Sequence, residues 1–284
     1  MKRLAILIVA LVVPAFRPAP ADAPKRIVSL IPAVTEMIFA MHEDSRLVGV
    51  SNYDRFPPGV EKIDRVGGLL DPNVEKILSL KPDLVIVYAT QQELQTRLER
   101  AKIPFYSYEH RGLPDITQTV RAVGARIGST AAANRLADQM DANLDAIRRS
   151  TAALPKPKTM VVFGREPGSL RHVNASGGYG FLHDMLVIAG GVDVFDAVKK
   201  QSVDASNEMI LVRAPEVIIE LRYGEPMKAA DIEREIRVWD ALPSVPAVRA
   251  HRVYILTGDE FVVPGPRIVE ATRRFAETLH PKTR

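Results

Sequence analysis

The chain of 284 residues contains no cysteine and a single tryptophan, Trp239. The missing thiol excludes disulfides, thiolate metal sites, iron–sulfur clusters, cysteine nucleophiles and a lipid-modified N-terminal cysteine. Aromatic residues make up only 6% of the sequence, so large aromatic anchors are few. No apolar run reaches the roughly 20 residues that a membrane-spanning helix needs, which excludes a multi-span membrane protein. Catalytic signatures are missing as well: there is no G-x-x-x-x-G-K-[ST], no H-E-x-x-H and no G-x-S-x-G. Gly49-Val50-Ser51-Asn52-Tyr53 begins like a nucleophile elbow and lacks its last glycine. The six histidines are scattered with no pair at i, i+4, so no metal site is expected.

What is present is an ordinary globular mixture, 46% apolar and 25% charged, long enough for one large domain or two of common size. Lys2 and Arg3 precede ten consecutive apolar residues, Leu4 to Val13, and small residues follow at Ala19-Pro20-Ala21. That pattern predicts a secretory signal peptide over 1–21, cleaved after Ala21, and a periplasmic mature protein. The competing reading is a leader that stays attached as a tether. Removing Lys2, Arg3 and Arg17 lowers the formal charge from +4 to +1. The basicity belongs mostly to the leader, and no basic stripe suggests nucleic acid.

From Lys25 onward short apolar runs alternate with helical stretches, which predicts α/β lobes with mostly parallel sheets. Strands are expected at 26–30, 47–50, 84–88 and 104–108. Helices are expected at 35–41, from Asp71-Pro72 to about Leu80, and at 91–101. Between about Thr130 and Ala153 no strand signal occurs. Leu136, Met140, Leu144 and Ile147 share one helical face there, predicting a single long helix. Alternation resumes at 159–163, with a helix near 181–189, strands near 217–221 and 252–256, and a last helix over about 266–279. The division expected is an N-terminal lobe over 25–129, a bridging helix over 130–154 and a C-terminal lobe over 155–284.

The halves share a segment. Glu75-Lys-Ile-Leu-Ser-Leu-Lys-Pro82-Asp83-Leu-Val-Ile86 matches Glu208-Met-Ile-Leu-Val-Arg-Ala-Pro215-Glu216-Val-Ile-Ile219 at five of twelve positions. Each copy reads as a short helix, a proline stop with an acid after it, and a buried strand.

Arg26-Ile-Val-Ser-Leu-Ile-Pro32-Ala-Val-Thr35-Glu36, Gly49-Val-Ser-Asn-Tyr53 with Pro57-Pro58, the Asn73–Val85 segment, Gly190-Gly191-Val192, Ser206-Asn207-Glu208 and Pro264-Gly265-Pro266-Arg267 follow one another in order. In this order they resemble the periplasmic binding proteins of cobalamin and iron-chelate ABC importers, closest to the cobalamin-binding subgroup, over residues 25–282. The resemblance implies two lobes joined by a rigid helix, a ligand held between them and docking onto a transmembrane permease by a monomer. It places Tyr53, Tyr88, Arg165, Asp259 and Phe261 in the cleft, and gives Glu75 and Glu208 the permease-docking role. It implies no catalytic residue and no cofactor; the metal chelate is cargo. Family tryptophans are replaced by Leu69 and Glu260, which makes the expected cleft less aromatic and more acidic. Haem, with Tyr53 offering a hard phenolate oxygen to Fe(III), and a ferric siderophore therefore stand beside cobalamin. An exported α/β hydrolase using His183 and Asp184 is the reading from another class.

Overall fold

Leu84-Val85-Ile86-Val87 has no polar alternation, the pattern of a strand covered on both faces. In the computed structural model, which describes residues 23–281 apart from 110, 111 and 225, all four are buried in a parallel sheet. The expected export signal over 1–21 lies outside the described residues. The first lobe runs β1 (Ile27–Ser29), α1 (Pro32–Ala40), β2 (Leu47–Val50), α2 (Val74–Ser79), β3 (Leu84–Tyr88), α3 (Gln92–Arg100), β4 (Phe105–Tyr108) and α4 (Leu113–Arg126). Its four strands are ordered β2-β1-β3-β4 and all pair in parallel. The long helix α5 (Thr130–Thr151) follows.

The second lobe continues with β5 (Lys158–Gly164), β6 (Asn174–Ser176), α6 (Phe181–Ile188), β7 (Val192–Asp193), β8 (Ser202–Asp204), α7 (Asn207–Arg213) and β9 (Val217–Arg222). It ends with α8 (Ala229–Arg237), α9 (Pro246–Arg249), β10 (Val253–Thr257) and α10 (Ile268–Leu279). Its sheet is ordered β10-β9-β5-β6-β8, with β7 beside β5. β10, β9, β5 and β7 are parallel, whereas β6 pairs antiparallel with β5 and β8.

Strand parity sorts the side chains into three cores. Leu84 and Ile86 of β3 join Val161 of β5, Val217 and Ile219 of β9 and the buried faces of α1, α4, α5, α6 and α10 in one core common to both lobes. Val85 and Val87 point the other way, onto Leu94 and Leu98 of α3 and Ile77 of α2. In the second lobe Met160, Val162 and Ile218 pack on Trp239, Phe195 and Ile210. A shared core of this kind joins the lobes through packed side chains, unlike a pair of domains on a flexible linker.

Some expectations shift: the helix expected at 35–41 runs from Pro32 to Ala40. The helix expected from Asp71-Pro72 begins at Val74, because Asn73 is the cap: its carboxamide oxygen accepts from Lys76 N at 2.9 Å. α4 has no counterpart in the sequence reading, nor do β6, β7, β8, α8 and α9. The start of α4 carries two ordinary signals, Pro114 in the first turn and an Asp115 carboxylate accepting from Gly112 N at 2.8 Å.

Candidate functional site

In open α/β sheets ligands lie beyond the carboxyl ends of the strands. Here the loop after β2 and the last residue of β3 supply the first wall. Tyr53 is 64% exposed and Phe56 is 39% exposed on that loop. Tyr88 ends β3 with its ring edge-to-face on Tyr108, centroids 6.0 Å apart. Burial, with a smaller contribution from the Asp54 charge, pushes the Tyr88 phenol up to about 12. Tyr88 is therefore a neutral hydroxyl at ordinary pH.

The second wall holds a cavity of about 490 Å³ lined by Phe163, Tyr179, Phe181, Tyr223 and Val262 among others. Phe163 lies near the end of β5, Tyr223 follows β9, and Tyr179 and Phe181 flank the start of α6. Tyr179 and Tyr223 are 44% and 59% exposed. Glycine brings Tyr179 there: a side chain on Gly178 would lie 1.9 Å from the Asp196 carbonyl oxygen. The volume falls within the range of ligand pockets, and its aromatic faces suit a flat, partly apolar molecule. Larger open hollows of about 650 and 1010 Å³ flank the end of α5 and α10, and the larger also borders Pro157 and Glu216 at the amino ends of β5 and β9.

The walls meet at a tie between lobes. Arg267, the residue before α10, holds the carboxylate of Glu36 on α1 through two hydrogen bonds of 2.6 and 3.0 Å. Its guanidinium also lies 4.2 Å from the centroid of the Phe56 ring. Arg267 and Arg274 both pair with Glu260, at 3.3 and 2.6 Å. The acidity expected from Glu260 is thus largely neutralised within the loop.

The sequence-derived cleft residues separate in space. Tyr53 and Tyr88 lie on the first wall. Asp259 accepts from Gly224 N at 2.8 Å and so holds the turn after Tyr223. Arg165 requires correction: its side chain is 0% exposed and pairs with Glu220 at 3.0 Å and Glu235 at 2.7 Å. Trp239 Nε1 donates to the same Glu220 oxygen at 3.0 Å. The cause is local. The β5–β6 register shifts between Val162 and Gly164, ending the parity that would have aimed Arg165 at the cleft. Glu220, in step with Ile218, faces the Trp239 core and needs a cation there. Phe261 is corrected likewise: it is 0% exposed and stacked on Phe275, centroids 5.8 Å apart, with Arg274 over its ring.

His183 lies 3.1 Å from the Asp193 carboxylate, and Asp184 accepts from Leu113 N at 2.8 Å at the start of α4. Both are engaged in holding elements together, and neither lines the aromatic cavity. No group of three or more metal-ligating side chains occurs among the described residues. Phe56, Tyr179, Phe181 and Tyr223 stand in these walls without having been singled out in the sequence. Tyr223 directly follows β9, whose end carries Glu220 and Arg222, so it lacked the unbroken apolar run that marks Tyr88 at the end of β3.

Glu75 and Glu208 are both exposed on short helices. The Ser206 hydroxyl beside Glu208 holds its carboxyl below the usual range. Three residues on, Leu78 and Leu211 are 38% and 42% exposed, while the intervening Ile77 and Ile210 are fully buried. Each lobe therefore turns a carboxylate and a leucine to one outer helix face.

Two parallel-centred sheets sharing a helical core, with an aromatic cavity beyond the second sheet, define a two-lobed α/β architecture. The chain belongs to the periplasmic binding protein family, whose pattern matches residues 27–260. It is 28% identical over 267 residues to the ABC transporter substrate-binding lipoprotein YvrC of Bacillus subtilis, covering 92% of this chain and 81% of that one. Its fold resembles the vitamin B12-binding protein BtuF of Vibrio cholerae, with a TM-score of 0.76 at 24% identity over 91% of this chain and 98% of that one. It resembles equally the haem-binding protein RhuT of Roseiflexus, with a TM-score of 0.74 at 24% identity over 90% of this chain and 99% of that one.

Proposed function

We propose that this protein is the substrate-binding component of an ABC importer, that it captures cobalamin or a related corrinoid between its lobes, and that it performs no chemistry on it. The observation that carries the reading is the aromatic cavity at the carboxyl ends of the second sheet, with an exposed Tyr53 on the first lobe as its proposed counterpart. A macrocycle is a broad plate with apolar faces and a polar rim. The cavity takes one edge of it, and Tyr53 and Tyr88 supply the opposite face and a hydroxyl. Relatives that carry vitamin B12 support this cargo. Absorbance and calorimetric titration of the mature protein with cobalamin, haemin and a ferric siderophore tests it. Stoichiometric cobalamin binding is expected; binding of haemin or siderophore alone would keep the importer role and replace the cargo.

Haem is the second reading, favoured by the exposed Tyr53 ring and by haem-binding structural neighbours. In that case Tyr53→Phe abolishes the ferric-phenolate band while the fold persists. Delivery to the permease is assigned to Glu75 and Glu208, each with its neighbouring leucine. Replacing both glutamates by alanine should leave ligand affinity intact and abolish uptake; uptake retained in the double variant refutes the assignment.

A further inference from the structure

Asp54 lies directly after Tyr53, yet it is only 2% exposed. Neither of its carboxylate oxygens has a hydrogen-bond partner. The groups nearest to it bond mainly to the backbone, and Thr35 and Ser51 stabilise its charge only weakly. The Thr35 hydroxyl donates to Ile31 O at 3.3 Å, and the Ser51 hydroxyl accepts from Tyr53 N at 3.2 Å. Arg65 Nη1 donates to the carbonyls of Ser51 and Asp54, both at 2.8 Å. The charged and titratable groups facing the carboxyl are Glu36 from α1, Arg65 from the segment before α2 and Tyr88 from the end of β3. Glu36 is already held by Arg267 from the other lobe.

A neutral carboxyl tolerates this pocket better than a carboxylate: burial outweighs the attraction of Arg65, whose guanidinium is committed to backbone carbonyls, and Glu36 adds a like charge nearby. Ionisation therefore pulls the chain around Asp54 toward water. That chain carries Tyr53 on one side and Phe56 on the other, and Phe56 is the ring under Arg267. We infer that Asp54 is a proton-dependent positioning residue: protonated, it seats the Tyr53–Phe56 loop in the cleft wall; ionised, it loosens both that wall and the contact with the interlobe tie. Burial, opposed more weakly by Thr35, Ser51 and Arg65, pushes the Asp54 carboxyl up to about 7, so the change falls in the range an exported protein meets. The inference concerns the ligand-free protein and stands apart from the identity of the cargo.

Hydrogen exchange on the ligand-free protein tests it, with protection of residues 51–60 compared at pH 5.5 and 8.5 after correction for the intrinsic exchange rate. The wild type should lose protection about tenfold at pH 8.5 in this segment, while β3 does not change. Asp54→Asn, near-isosteric with the neutral acid, should show the acid-like protection at both pH values; its thermal melt confirms that it folds. Equal protection of the wild type at both pH values overturns the inference. So does a pH dependence that survives in Asp54→Asn or that vanishes only in Glu36→Gln, which would assign the titration to Glu36.

Discussion

The two lobes use the same local grammar and treat buried charge in opposite ways. In both, a capped short helix ends at a left-handed residue before proline: Lys81 and Ala214 each have φ near 47°. In both, the acid after the proline pins the start of a neighbouring strand. Asp83 accepts from Lys25 N and Arg26 N at 2.8 and 2.9 Å, and Glu216 accepts from Lys158 N at 2.8 Å. The second lobe then buries Glu220 and Glu235 against Arg165 and Arg222, with Trp239 completing the set. The first lobe buries Asp54 with no ion pair among the described residues, Arg65 acting on it only as a nearby charge. A paired network fixes a framework, whereas a lone carboxyl responds to protons. The rigid charges therefore lie behind the cavity of the second lobe and the responsive one lies beneath the loop of the first.

Removing Arg165 should have the largest effect. Arg165→Met leaves Glu220 buried and short of a cation, and breaking a buried pair in this way costs about 3–5 kcal/mol. Chemical denaturation at pH 7 reads the loss. If the variant were as stable as wild type but bound ligand less well, Arg165 would belong to the cleft after all. Asp54→Asn should act with the opposite sign. A carboxyl raised from 3.8 to about 7 weakens the folded state progressively as pH rises from about 4 to 7, because the unfolded chain ionises first. The substitution removes that penalty. The gain should be close to zero at pH 4 and about 2 kcal/mol at pH 8, within an upper limit of about 4 kcal/mol set by the displacement of the titration. Thermal melts across pH 4–8 measure it, and a gain independent of pH would place the effect in packing.

The shared grammar was legible in the sequence, whereas the contrast in buried charge was not. The repeat and its proline-acid punctuation marked the corresponding elements in both lobes, because strand starts and helix stops are set by residues close together in the chain. The aim of Arg165 was not legible. It depends on a register shift at Val162/Gly164 and on a glutamate 55 residues away. Phe261 failed for the same kind of reason: its stacking partner Phe275 lies on the following helix, α10. Tyr53 and Tyr88 were singled out by the family resemblance, Tyr88 also as the residue closing β3, and Tyr223, directly after β9, went unnoticed. The burial of Asp54 beside exposed Tyr53 has no local signature, since it follows from how α1 and β3 close over the loop.

The cavity offers a smaller test of the division between framework and cleft. Tyr223→Ala should weaken binding of the cognate macrocycle about tenfold, or about 1.4 kcal/mol, by removing an aromatic face without disturbing the core. Asp259→Ala, which frees only Gly224 N, should weaken it a few-fold by loosening the turn that carries Tyr223. Titration calorimetry separates the two. A larger loss for Asp259→Ala would make its carboxylate a ligand contact and not a turn support.

The smallest expected effects bear on the shared grammar itself. Asp83 makes two charge-assisted hydrogen bonds to backbone N–H groups at the start of β1, and Glu216 makes one at the start of β5. All three are exposed, so each is worth about 0.5–1 kcal/mol. Asp83→Ala should therefore cost about 1–1.5 kcal/mol and Glu216→Ala about half as much. The two sites lie in different lobes with no shared partner, so the double variant should give the sum. Urea denaturation resolves this difference. Equal costs would mean that the second bond of Asp83 contributes nothing. A double variant far worse than the sum would mean that the lobes, joined through their common core, transmit a loosened strand end from one sheet to the other.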